Sequence, residues 1–173
     1  MNLVAVKKSK ITPIPPGFRT LTPYLGVDGA AKAIEFYTRA FGAKEVARTR
    51  RLTSDGKVLH ARLKIGDSLV MLSDNYGPDQ GTAPKGDSPV YLHIYSKDVD
   101  KLWQSAVSAG ATVIMPLDNT FWGERYGHLL DPFGLRWSVS MRVKMSKEEK
   151  EAKRREAMTM FAKNEHPGRT NGT

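Results

Sequence analysis

Cysteine is absent from all 173 residues, which removes disulfides, thiolate metal sites and cysteine nucleophiles from consideration. The absence fits a reducing cytoplasm, the expected location. Long apolar runs are missing too. None approaches the roughly 20 residues that a membrane helix requires, so no membrane partner is expected. The Lys7, Lys8 and Lys10 start is followed by polar, proline-broken sequence, unlike a secretory signal. No phosphate-cradling glycine loop is present, and no serine has an evident base. Acidic residues are outnumbered, giving a net charge of +9. That excess sits on the ends: residues 1–20 carry +4, residues 141–173 carry +4, and the body between them only +1. A nucleic-acid reader shows its basic face on the folded body, so specific nucleic-acid binding is not expected.

What the chain does have is an internal echo. Gly42 closes one candidate helix and Gly110 another, 68 positions later. Gly66 and Gly134 sit in two candidate hairpin turns at the same interval of 68. Two pairs of punctuating glycines at one spacing point to a duplicated module, and duplication fixes architecture before any finer feature does. At this length the chain fits one domain, or two small modules sharing a core.

Periodicity fills in the modules. Residues 1–17, with Pro13, Pro15, Pro16 and Gly17, read as an N-terminal arm. Arg19 to Leu25 reads as a strand. Asp28 to Phe41 reads as a helix, with Ala30, Ala33, Ile34, Tyr37 and Phe41 at three- and four-residue spacing and Asp28 as its cap. Lys44 to Arg51 is a predicted strand. Lys57 to Ile65 and Ser68 to Asp74 form a predicted hairpin. Residues 75–89 read as a linker. Val90 to Tyr95 is then a strand. Asp98 to Ala109 is a helix whose apolar side holds Leu102, Trp103, Ala106 and Val107. Ala111 to Met115 is a strand stopped by Pro116. Glu124 to Leu130 and Leu135 to Met141 make a second hairpin. Ser146-Lys147-Glu148-Glu149 spells a capping box and opens a charged C-terminal helix with Met158, Met160 and Phe161 near its end.

Strand parity supplies the functional signal, because neighbours point to opposite faces. Leu59, Ala61 and Leu63 oppose His60, Arg62 and Lys64. Across the Gly66-Asp67 turn, Arg62 is predicted opposite Met71 and His60 opposite Ser73. Leu21 and Leu25 oppose Thr20, Thr22 and Tyr24. Val90, Leu92 and Ile94 oppose Tyr91, His93 and Tyr95, and Leu135, Trp137 and Val139 oppose Arg136, Ser138 and Ser140. Each strand thus has an oily face for a helix and a second face mixing rings, hydroxyls and basic groups. If the sheet curves, that second face lines a concavity of the kind that holds small molecules; if it is flat, the face is simply wet. His93 is then a ligand contact, a base or a structural histidine, and His60 carries the same alternatives. Arg62 and Arg136 either clamp a carboxylate or phosphate or pair with Glu124 or Asp74. Trp122, on a loop beside Gly123, is a lid, a wall or a plug at a subunit seam.

Several of these stretches resemble a known family. Thr22-Pro23-Tyr24-Leu25-Gly26-Val27-Asp28-Gly29-Ala30-Ala31, followed by Ala33-Ile34-Glu35-Phe36-Tyr37, is similar to the opening of the vicinal oxygen chelate superfamily. That superfamily groups glyoxalases, bleomycin-resistance proteins and extradiol dioxygenases. His60-Ala61-Arg62-Leu63 with Ile65-Gly66-Asp67-Ser68, Met71-Leu72-Ser73-Asp74, and Trp122-Gly123-Glu124-Arg125-Tyr126-Gly127 with Asp131-Pro132-Phe133-Gly134 look more narrowly like its PhnB-like branch. The resemblance spans residues 18–143 and implies an α+β fold of two βαβββ modules, about 18–80 and 87–143, forming a cupped mixed sheet. Residues 144–173 remain as a basic helix and tail. A homodimer is also implied. The superfamily's metal enzymes place His, Gln or Glu on the first and last strands of each module. Here those places fall on or near Thr22, Met71, Tyr91 and Ser138, which are weak ligands for a divalent metal; a shift of two residues along the same face brings in His93, and one imidazole does not make a site. The expectation is therefore a small-molecule-binding protein with no cofactor. Its oxygen-rich, anionic ligand is expected to be held by His60, Arg62, Met71, Ser73, Tyr91, His93, Trp122, Arg136 and Ser138. The alternative is a glyoxalase-like lyase or isomerase, or a dioxygenase-type enzyme, that uses a divalent metal or a cleft histidine.

Overall fold

A computed structural model describes residues 12–75 and 88–163. Most of the predicted arm, most of the predicted linker and the last ten residues lie outside that description. Two sheets are present. The first holds β1 (Tyr24–Val27), β2 (Lys44–Glu45), β3 (Arg51–Leu52), β4 (Val58–Ile65) and β5 (Ser68–Asp74), in the order β1-β5-β4-β2 with β3 also on β4. The second holds β6 (Tyr91–Tyr95), β7 (Thr112–Asn119), β8 (Glu124–Leu130) and β9 (Arg136–Arg142), in the order β6-β9-β8-β7. In both sheets the first strand runs parallel to the last, and a helix lies between the first strand and the rest: α1 (Ala30–Phe41) and α2 (Val99–Ala109). The duplication read from the glycines is therefore an architectural one, and Gly42 and Gly110 both cap their helices in the left-handed conformation.

The apolar faces of both sheets feed one core. Leu25, Val27, Ala61, Leu63 and Leu72 from the first sheet join Leu129 and Trp137 from the second. α1 and α2 pack on each other within it. Tyr37 and Phe41 of α1 meet Trp137 at ring separations of 5.4 and 4.5 Å. Two buried carboxylates organise this interior. Asp131 accepts from Tyr37 Oη at 2.8 Å, from Trp137 Nε1 at 2.9 Å and from the N–H groups of Phe133 and Leu135. Burial pushes the Asp131 pKa up and those donors pull it back down. Asp74 accepts three backbone N–H bonds, from Gly29, Ala30 and Val58. It caps α1 from a strand far away in sequence, and the predicted cap, Asp28, is not used.

Several predicted boundaries need correcting. The first strand starts at Tyr24; Leu21 is 87% exposed in a preceding turn, where Thr22 Oγ1 donates to Arg19 O. The stretch predicted as one strand from Lys44 to Arg51 is two short ones, broken near Arg48, which has positive φ. A register shift between β3 and β4 turns Leu59 out and Val58 in, so Leu59 is exposed. Val107 also faces outward. Pro116 does not stop its strand: β7 continues to Asn119. β7 is the sheet edge, and its pairing with β8 shifts register on both sides of Met115. An edge strand with bulges tolerates a residue that has no N–H to give.

Candidate functional site

Because both apolar faces point into one core, the two polar faces lie on its far sides. In the first module Tyr24, Met71 and Arg62 form one row across β1, β5 and β4. Arg62 lies opposite Met71 as the parity predicts. Its guanidinium sits 4.8 Å from the Phe18 ring. Its Nε donates to His60 Nε2 at 3.3 Å, and Nδ1 of that ring lies 3.4 Å from Tyr24 Oη. Arginine is only a donor, so His60 accepts at Nε2 and carries its proton on Nδ1. Burial, Arg62 and Arg51 all hold the His60 pKa below its ordinary value. The predicted partner of His60, Ser73, is buried and stands beside Gly26 in the ladder.

The second module builds a denser face. Successive rows place Tyr91 beside Arg136, His93 beside Ser138 and His128, and Tyr95 beside Ser140 and Tyr126. His93 has a hydroxyl at each ring nitrogen: Ser138 Oγ lies 2.7 Å from Nδ1 and Ser140 Oγ 3.0 Å from Nε2. Both serines are buried, at 2% and 0% exposure, so the rings roof them. A hydroxyl can donate or accept, so neither contact fixes which nitrogen of His93 carries the proton. Tyr126 Oη bonds His128 Nε2, and the Tyr91 and His128 rings lie 4.8 Å apart. Arg136 Nη1 donates to Tyr91 Oη at 3.0 Å. At the other end Glu124 accepts from Tyr95 Oη and from Trp122 Nε1, both at 3.2 Å. The Trp122 ring meets Tyr126 edge-on at 5.5 Å. Burial keeps His93 and His128 below the ordinary histidine pKa; Arg136 and His93 add to the depression at His128, and Glu124 opposes it at His93. Burial raises the Tyr126 pKa.

Of the predicted residues, the structure groups Tyr91, His93, Trp122, Arg136 and Ser138 on the second face. It groups His60, Arg62 and Met71 on the first. Sequence reasoning missed Tyr126 and His128 as members, along with Phe18 and Glu124. Alternation along β8 held the signal, since Gly127 and Leu129 take the core side, but Arg125 on that side blurred it. A separate open cleft of about 400 Å³ lies between α2 and β7, lined by Trp103, Pro116 and Leu117. Its charged groups, Arg125 and Asp100, are paired with each other at 2.7 Å.

The fit to a divalent metal is poor. Among the described residues no three His, Cys, Asp or Glu side chains converge in a set that could hold an ion. Of the four implied ligand places, Thr22 lies in a turn ahead of β1, and the Ser138 hydroxyl is engaged by His93. Thioether and phenol complete a set with little affinity for such a cation.

The model of the Glyoxalase/Bleomycin resistance protein/Dioxygenase superfamily matches residues 19–139. An uncharacterized protein of Mycobacterium tuberculosis is 43% identical over 129 residues, which cover 72% of this chain and 75% of that one. Among solved structures, protein PA1353 of Pseudomonas aeruginosa aligns with a TM-score of 0.57 at 26% identity, over 72% of this chain and 98% of its own. The PhnB protein of Bacillus cereus, titled a putative 3-demethylubiquinone-9 3-methyltransferase, aligns at 0.54 and 22% identity over 71% and 99%. At that identity the second likeness speaks to fold alone. No described helix is long and apolar enough to cross a membrane.

Proposed function

Because the chain belongs to the Glyoxalase/Bleomycin resistance protein/Dioxygenase superfamily, we propose that it binds an oxygen-rich, anionic small molecule without a metal. The observation that carries this reading is the pair of guanidinium groups, one on each polar face. Arg62 is set against Phe18 and Arg136 against Tyr91, beside imidazoles whose pKa burial lowers. A ring-lined surface with an arginine at its edge favours a carboxylate or phosphate, which accepts forked N–H bonds, over a cation.

The cup is shared between two copies in this reading. The two polar faces of one chain lie on opposite sides of its core, so neither can close over the other. Among the described residues β1 ends one sheet and β6 ends the other, and a sheet edge is a surface for strand pairing. A homodimer would set the first sheet of one copy beside the second sheet of its partner. Trp122, half exposed on its turn, then serves as a wall of the cup. The setting is cytoplasmic, with no resident cofactor.

A thermal-shift panel of carboxylates and phosphates on the wild type, Arg62→Gln and Arg136→Gln tests the proposal. A ligand at 100 times its Kd stabilises by about 2.7 kcal/mol, and either substitution should abolish that gain. No stabilisation by any compound, or a gain untouched by both substitutions, contradicts it. A proton-transfer enzyme is the second reading, favoured by the His93–Ser138–Ser140 contacts. Proton exchange between solvent and a bound panel compound, lost in His93→Gln, would select it.

A further inference from the structure

The family match ends at residue 139, before α3 (Lys147–Ala162) begins. The Ser146 capping box forms as the sequence spelled it. Yet α3 buries none of its residues fully, and of its apolar ones Ala157 and Met160 are covered only in part. Among the described residues, it and its lead-in make a set of polar contacts on one turn of the second module. The Val143 N–H donates to Gly123 O at 3.0 Å. Lys150 runs along the same glycine: a Cβ there would lie 3.4 Å from Lys150 Cε and 3.5 Å from Nζ. Gly123 has φ +88, a backbone state that other residues adopt only with strain. Lys153 Nζ meets Asp118 Oδ2 at 2.8 Å, with Glu156 at 3.3 Å. Residues three apart lie on one side of a helix, so Lys150 and Lys153 address the turn together.

These contacts fall on both flanks of residues 118–124. Thr120 stitches the same segment from within: its N–H and its hydroxyl both donate to Glu124 O at 2.7 Å. Its Oγ1 in turn accepts from the Glu124 N–H at 3.3 Å. This segment presents Trp122 and Glu124 to the ring-lined face, where Glu124 joins Trp122 to Tyr95.

We propose that α3 is a splint for the binding face. Lys150 and Lys153 are positioning residues that hold the 118–124 turn, so that the Trp122–Glu124–Tyr95 set stays assembled at the rim. The proposal rests on reading that face as the ligand site, but its decisive test needs no ligand. The Lys153–Asp118 pair is partly exposed, at 31% and 62% for the two side chains. It is therefore sensitive to charge and salt.

The experiment is fluorine NMR of the full chain carrying 5-fluorotryptophan, which gives one line for each of its 3 tryptophans. Trp122→Phe assigns the Trp122 line. Lys153→Glu should shift or broaden that line while the Trp103 and Trp137 lines stay in place. Lys153→Arg should keep the wild-type spectrum, and the charge-swapped pair Asp118→Lys with Lys153→Glu should restore it. A Trp122 line unmoved by Lys153→Glu overturns the proposal. So does a shift that the swap fails to reverse, or movement of all the lines together. If the Trp122 response is as expected but no carboxylate or phosphate stabilises even the wild type, the ligand reading fails and the splint stands.

Discussion

The first module's open face holds a single file of contacts, Phe18 to Arg62 to His60 to Tyr24, and its two outer strands are short and broken. The second module's face spreads over three full strands. Two imidazoles, three phenols and two buried serines interlock there, with Glu124 tying in Trp122. Strand order and helix placement are the same in both. Duplication has preserved what the core needs, the parity of apolar residues and the turns that keep it, while the outward faces have diverged. The cation dominates the first face. The second sets Arg136 and Glu124 at its ends around a middle of ring and hydroxyl contacts, where histidine pKa values are held down chiefly by burial.

The largest expected effect breaks the seam between the modules. Asp131→Ala leaves Tyr37 Oη and Trp137 Nε1 buried without their acceptor and should cost about 4 kcal/mol in urea unfolding. Asp74→Ala strips three backbone N–H groups inside the first module alone and should cost about 3 kcal/mol. A loss at Asp131 no greater than at a surface aspartate would mean the modules are not joined there.

Glycine substitutions sharpen the contrast at a smaller scale. A Cβ on Gly127 would lie 2.6 Å from Trp103 Cζ3 and 3.0 Å from Leu117 Cα, so Gly127→Ala should cost about 2 kcal/mol. On Gly26 it would lie 2.8 Å from Asn75 Oδ1, the end of one short side chain, against a ring and a backbone carbon at Gly127. Gly26→Ala should therefore cost less than about 1 kcal/mol, read in the same denaturation series.

The smallest effect is in pH. His93, His128 and His60 all have pKa values held below the ordinary one. Well above the unfolded value of about 6.5 both folded and unfolded forms are neutral and these groups contribute nothing. As pH falls below that value the unfolded chain takes up protons that the folded chain resists, so stability drops. Asp131, with its raised pKa, runs the other way and loses stability as pH climbs through the carboxylate range. Replacing His93 and His128 with glutamine should flatten the decline from pH 7 toward 5 more than replacing His60. Calorimetry across that range reads the slopes.

Much of this was legible in the residues. The paired glycines gave the duplication, and alternation put Tyr91 with His93, and Arg136 with Ser138, on the polar sides of their strands. What stayed hidden depends on contacts distant in sequence. The Tyr37–Asp131 bond spans 94 residues, and the cap of α1 comes from Asp74 across 44; no local pattern announces either. Leu59 turned out because of a register shift, and Pro116 stayed in a strand because that strand is an edge. Tyr126 and His128 needed the β8–β9 register to be placed. The parity reading also treated the two polar faces as sides of one hollow. Composition and spacing say nothing of how two modules stack, and a shared core sets those faces apart.

That separation makes subunit exchange the most direct measurement. To test the proposed dimer, the Arg62→Gln and Arg136→Gln proteins are each titrated calorimetrically with the compound that most stabilises the wild type, then mixed and titrated again after exchange. The mixed dimers pair an intact first face from one copy with an intact second face from the other. The account predicts that neither variant binds alone and that the mixture regains binding. A mixture no better than its parents, or parents that bind as the wild type does, would contradict it.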